Sequence, residues 1–222
     1  MFAKRRISAA VTTTLIMSTG TVFAATPVPN NSSVSATFSQ TYTGCYKTGQ
    51  LKRHVTIAPG GAETLASAGI TIDVVLRDAA GNPCANIPAS DIRVDSPDIT
   101  WCPGGNHPDG PTDASGMTTF TGTLCGGGCA SQLTVYVGNV AFGTVPVMTN
   151  SPDFAHQNTS PGFVDISDFV AFAGYFASNI CGGGFGSYDI CADYNEDGRI
   201  DASDLAYFAS FLGASCFATP CP

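Results

Sequence analysis

From Ile70 to Leu76 every second residue is apolar (Ile70, Ile72, Val74, Leu76), and the intervening set runs from Thr71 and Asp73 to Arg77. A period of two belongs to a strand with one buried face, and the turn-forming run Asp78-Ala-Ala-Gly81-Asn82-Pro83 ends it. Residues 34–42, 53–58, 91–95, 117–124, 131–137 and 140–147 are further apolar, β-branched stretches separated by Gly/Pro/Asp turns, and 65–68 suits one helical turn. Seven or so short strands without a long helical period predict a mainly β fold, an immunoglobulin-like β-sandwich over residues 34–148.

After residues 149–152, read as a linker, the period changes. Gly162-Phe-Val-Asp165-Ile-Ser-Asp168-Phe-Val-Ala-Phe172 recurs 36 residues later as Gly198-Arg-Ile-Asp201-Ala-Ser-Asp204-Leu-Ala-Tyr-Phe208. A match in register over this length marks a duplicated unit. From the second Asp of each copy, apolar residues take helical spacing: Phe169, Phe172, Ala173 and Phe176, then Leu205, Phe208, Ala209 and Leu212. Helices of about three turns are marginal alone, so the two apolar faces are expected to bury each other, with Ser167 and Ser203 at the capping positions and Gly182 and Gly213 at the exits.

The N-terminus changes the picture of where the protein works. Lys4-Arg5-Arg6, an uncharged run to Phe23 and small residues at Ala24 and Ala25 have the layout of a secretory signal, residues 1–24, followed by a flexible lead-in, 25–33. A retained anchor is the alternative; after removal no stable membrane span is expected. All nine cysteines follow this segment, five before residue 150 and four after it, and in an exported chain they read first as disulfides. The odd one pairs across the domains, pairs with another chain, or stays a buried thiol. Cys181, Cys191, Cys216 and Cys221 allow three pairings among themselves, with Cys191 to a tail cysteine in 215–222 preferred.

The formal charge of −8 includes Lys4, Arg5 and Arg6, so the exported chain stands at −11. That balance excludes nucleic acid as a partner. Beyond residue 150, eight Asp and one Glu face Arg199 alone, a density that asks for a cation or a basic partner.

The candidate chemistry sits in that region. Asp193, Asn195, Asp197, the Arg199 carbonyl, Asp201 and Asp204 fill the first, third, fifth, seventh, ninth and twelfth places of a loop with Gly198 sixth. Calcium takes six to eight oxygens at roughly 2.3–2.6 Å, which one such loop supplies. The pattern D-x-N-x-D-G-x-I-D-x-x-D departs from the calcium consensus only in Asp204 for Glu. In the first copy, aligned at the same offset, Gln157, Thr159 and Pro161 replace the early ligands. That copy reads as structural, with Val164 pairing Ile200 and with Asp165 and Asp168 capping the helix; Asp153 and Asn158 are the residues an irregular loop would recruit.

On these residues the stretch 153–214 resembles a dockerin domain, the calcium-dependent module that plugs into cohesins. The resemblance implies two loop-helix units, calcium, and a cohesin-like or other surface protein as partner, with Ala202, Ser203, Ile166 and Ser167 at the recognition positions. The run from residue 70 to 82, followed by the Pro111-Thr-Asp113-Ala-Ser-Gly116 turn, resembles bacterial immunoglobulin-like repeats, which implies fold rather than role.

A catalytic set is missing: no G-x-S-x-G, H-E-x-x-H or phosphate loop is present, and Glu63 is the one glutamate before residue 150. Zinc on Cys102, His107, Cys125 and Cys129 competes with disulfides. The reading is a secreted or cell-surface, non-catalytic, calcium-binding attachment protein. Its alternative is a carbohydrate-binding or polysaccharide-degrading component, with Trp101, Tyr42, Tyr46 and Tyr136 as a glycan platform.

Overall fold

The computed structural model describes residues 25–154, 162–181, 188–218 and 221. The signal segment, Gln157, Asn158, Thr159, Pro161 and Gly182 lie outside the described residues.

The chain is mainly β, in several small sheets, with two short helices near its C-terminus. Among the described residues ten strands run in order: β1 (Ser33–Phe38), β2 (His54–Thr56), β3 (Ile70–Val75), β4 (Ile92–Asp95), β5 (Ile99–Trp101), β6 (Met117–Phe120), β7 (Gly126–Gly128), β8 (Leu133–Val137), β9 (Val140–Val145) and β10 (Met148–Asn150). The helices are α1 (Ile166–Ala173) and α2 (Ala202–Phe211). The alternation read from residue 70 is realised in β3, whose side chains are buried and half-buried in turn. This strand is central in the antiparallel sheet β1-β3-β6; a second sheet runs β4-β8-β9. Ile72, Val74 and Phe120 from the first sheet and Ile92, Val94, Leu133 and Val135 from the second share one core. Alternating strands bury one face each, and together these faces supply the main hydrophobic stabilisation.

The strands β5, β7 and β10 went unread in the sequence, and β10 corrects the linker. Residues 149–152 are no exposed hinge: β10 pairs in parallel with β2, and Thr149 and Asn150 are fully buried. Asn150 donates through Nδ2 to the carbonyl of Asp193 at 2.8 Å, joining the β region to the acidic loop.

The disulfides make the same connection four times: Cys45–Cys181, Cys102–Cys216, Cys125–Cys221 and Cys129–Cys191. Each joins a cysteine before residue 150 to one after it, which overturns the pairing of Cys191 with the tail. The cause is packing: the C-terminal unit lies against the sheets and brings each pair to a Cα separation between 5.0 and 5.9 Å, within bridging reach. Cys84 remains a buried thiol. Four disulfides belong to an oxidising, extracytoplasmic environment. Among the described residues no helix is long and apolar enough to cross a membrane.

Candidate metal loop and its surroundings

Both helices start two residues before the second Asp of each copy, at Ile166 and Ala202. Asp165 and Asp201, rather than the serines, are the N-caps, accepting from the backbone N–H of Ser167 and Ser203 at 2.7 and 2.8 Å. Asp168 and Asp204 reach back to the N–H groups of Asp165 and Asp201 at 2.8 and 3.0 Å, closing two capping boxes. The capping role assigned to Asp165 and Asp168 is therefore seen, and the second copy uses it too.

The pairing of Val164 with Ile200 is corrected. Ile200 accepts from Ala177 and donates to Ser178, just past α1, while Val164 accepts from Gly213 and donates to Ala214, just past α2. Each loop thus pairs with the exit of the other unit's helix, and both side chains are fully buried in one cluster with Phe172, Phe208, Phe154 and Tyr194. The helices meet through Phe172 and Phe208, whose rings stack at 5.6 Å. Phe169 also reaches Phe208, with ring centres 6.0 Å apart, yet stays 38 % exposed, while Phe176 and Leu212, expected in the same contact, lie past the ends of α1 and α2 and are 42 and 59 % exposed.

The second loop is held by hydrogen bonds within residues 188–204. Gly198, sixth, has φ +90°, a conformation that glycine adopts without strain. Asp193 is buried, and its Oδ2 accepts from Gly198 N at 2.8 Å and from the Tyr188 hydroxyl at 2.7 Å. Asn195 Oδ1 accepts from Asp197 N at 3.0 Å, and Asp197 Oδ1 from Arg199 N at 2.8 Å. Asp204 Oδ1 accepts from Tyr194 N at 2.8 Å. Burial, opposed by the Tyr188 and Gly198 bonds and reinforced by Asp204 and Asp197, pushes the Asp193 carboxyl up to about 6; burial also raises Asp204.

The oxygen-rich donor set and the glycine turn fit a hard cation. The side chains, however, are spent on the loop's own N–H groups. Among the described residues no three His, Cys, Asp or Glu side chains gather at metal-holding distance. Both oxygens of Asp204, one methylene shorter than the consensus Glu, accept from the backbone.

The first copy is less degenerate than a fixed offset shows. Asp153 Oδ2 accepts from Gly162 N at 2.7 Å as Asp193 does from Gly198, and Phe154 N donates to Asp168 Oδ1 at 2.8 Å as Tyr194 does to Asp204. Asp153-Phe154 is therefore the counterpart of Asp193-Tyr194. Nine residues separate Asp153 from Gly162 where five separate Asp193 from Gly198, so a four-residue insertion hides the match. The shared Asp-aromatic pair, followed by a glycine and an S-D helix start, was the available signal.

Other candidates disperse. Cys102, Cys125 and Cys129 are in disulfides and His107 Nδ1 lies 2.7 Å from the Ile92 carbonyl, which removes the zinc set. Tyr42 and Tyr46 are buried, Trp101 donates to Asp95 at 3.0 Å and Tyr136 lies under Arg93, so no aromatic platform forms.

Missed by the sequence reading was the contact of the loop with the β region. Cys45 N donates to the Asp197 carbonyl at 2.9 Å. Glu196, 3 % exposed with φ +58°, faces Lys52 Nζ at 3.3 Å.

No protein-family model matches the chain, and no curated protein matches it. Among solved structures, the Yersinia pseudotuberculosis adhesin InvE is similar over 56 % of this chain at 23 % identity and a TM-score of 0.28. This chain spans 28 % of that adhesin chain. A cohesin-X-dockerin complex from Acetivibrio cellulolyticus matches 60 % of this chain and 88 % of its own at 16 % identity and a TM-score of 0.28. The Lin-41 filamin domain matches 56 % and 95 % at 18 % identity and a TM-score of 0.26.

Proposed function

We propose that the protein is an exported, non-catalytic attachment protein. In this reading an immunoglobulin-like β region holds a dockerin-like pair of loop-helix units, and calcium organises residues 193–204. The carrying observation is the distribution of exposed apolar surface. Of the ten large apolar side chains exposed among the described residues, eight lie between Phe163 and Phe217, including Ile166 at 70 % and Val170 at 67 %. Phe169, Phe172, Ala173, Phe176 and Leu205 line a groove of about 260 Å³ beside them. Apolar surface concentrated on one small unit is the mark of a protein-docking face. A surface protein of the cohesin kind is the partner this reading names.

In this reading Asp193, Asn195, Asp197, the Arg199 carbonyl, Asp201 and Asp204 would hold the calcium. A bound ion would neutralise carboxylates that burial and mutual repulsion otherwise penalise. The chain's part is to present Asp193 at the base of the loop and to turn the backbone at Gly198.

Calorimetric titration with calcium, paired with melting curves, tests this on the whole chain and on Asp193→Ala with Asp197→Ala. A saturable site that raises the melting temperature, and its loss in the double variant, is the expected result. Failure of the wild-type protein to take up calcium at millimolar concentration removes the calcium reading.

A further inference from the structure

A cleft of about 420 Å³ opens between residues 42–53 and the segment that leads into β10. It is lined by Lys47, Arg53, Gln50, Ser131, Leu51 and Met148 among others. Its charge is opposite to that of the molecule. Only six Lys and Arg follow residue 24, and three of them, Lys47, Lys52 and Arg53, fall within seven residues. Lys52 turns inward to Glu196 and Glu63, at 3.3 and 3.9 Å. Lys47 and Arg53 stay exposed at the cleft, and among the described residues neither has a carboxylate within ion-pair distance.

Each of these two cations rests on an aromatic ring. Lys47 Nζ stands 4.9 Å from the Tyr46 ring centre and Arg53 Cζ 5.4 Å from that of Phe38. A ring orients a cation without neutralising it, so both keep their charge for an incoming group. In a chain whose acids outnumber its bases, two adjacent unneutralised cations in a concave site focus a local positive potential.

The frame is fixed. Tyr42 lies at the cleft with its hydroxyl 2.6 Å from His54 Nδ1 and accepting from Arg53 N at 3.3 Å. The turn from Lys47 to Gln50 is closed by Gln50 N donating to the Lys47 carbonyl at 2.9 Å, and Cys45 ties the same hairpin to Cys181.

We propose that this cleft binds a carboxylate-bearing sugar of an acidic polysaccharide. The carboxylate meets Lys47 and Arg53; the Gln50 amide and the Ser131 hydroxyl suit sugar hydroxyls, and Leu51, Pro146 and Met148 offer an apolar wall to the ring face. The volume falls in the range of small-molecule sites, roughly 300–1,000 Å³. One charge per sugar matches two cations, whereas denser polyanions are repelled by the acidic remainder. The cleft uses no residue of the candidate calcium loop.

The test is calorimetric titration of the full chain with oligogalacturonate at low salt in EDTA, which prevents calcium from bridging the oligomer to residues 193–204. Binding of the acid oligomer, none of its fully methyl-esterified form, and an affinity loss of about tenfold or more in Lys47→Gln with Arg53→Gln are expected. Lys47→Arg with Arg53→Lys should retain most of the affinity. Equal binding of the ester, or an unchanged double-Gln variant, overturns the proposal. If acetate or inorganic sulfate displaces the oligomer at concentrations equal to those of free galacturonate, the site holds small anions only and the glycan assignment falls.

Discussion

His54 shows how a residue's role escapes a one-dimensional reading. In the sequence it follows Lys52-Arg53 at the start of a candidate strand with nothing to mark its surroundings; in the fold it is fully buried, with Tyr42 and Tyr46 packed on its ring. Burial, aided by the charges of Lys47 and Lys52, pushes its pKa down to about 3. Below pH 6.5 the unfolded chain takes up a proton that the folded one refuses. The contribution of His54 is therefore complete above that pH and is lost as pH falls toward 3, by about 1.4 kcal/mol per pH unit. Asp193 and Glu196, pushed up by burial to about 6 and about 7, slope the other way over part of this window. The difference between wild type and His54→Gln isolates the histidine: denaturant unfolding from pH 6.5 to 4.5 should show wild type losing more stability than the variant. Parallel curves would mean that His54 is not held neutral.

At the scale of elements, what was legible is what is local. The alternation in β3, the duplicated helices and the carboxylate caps all rest on residues within a few positions of one another, so propensity and spacing suffice. An insertion breaks the register and hides Asp153, and β10 lies where the sequence predicts a linker because three residues carry no period. The hairpin over residues 41–51, closed by the Thr41 to Leu51 bridge, had no signal at all, since its purpose is a contact about 150 residues away. It lies on the candidate metal loop so closely that a Cβ at Gly44 would stand 2.3 Å from Asp197 Cα. Gly44→Ala must push hairpin and loop apart and strain the bond from Cys45 N to Asp197. On the calcium reading, affinity should fall by about tenfold, with a stability loss in EDTA of about 1–3 kcal/mol. Calcium titration and melting of the variant check both, and an unaltered affinity would show that the hairpin does not set the loop.

Across the whole molecule four disulfides tie the β region and the C-terminal unit into one covalently closed body. The five-to-four split of cysteines held the clue: four crossing pairs leave one thiol on the N-terminal side, Cys84, as observed. Sequence could not choose crossing pairs over local ones, because the choice depends on which surfaces pack. The acidic unit is small, with α1 of eight residues and α2 of ten, and much of its apolar surface is exposed. A core so reduced draws its stability from what it is tied to. Crossing bonds also restrict the unfolded chain over long loops, 62 residues for Cys129–Cys191 and 136 for Cys45–Cys181. By chain entropy a loop of the first length is worth roughly 4 kcal/mol. The oxidised protein should therefore melt in a single calorimetric transition, and Cys129→Ser with Cys191→Ser should lower its unfolding free energy by roughly that amount. Two well-separated transitions in the oxidised wild type would show that the units fold independently and that the crossing bonds only tether them. On the proposed attachment role, a single one means that force on the apolar face of α1 is carried to the β core through the crossing disulfides.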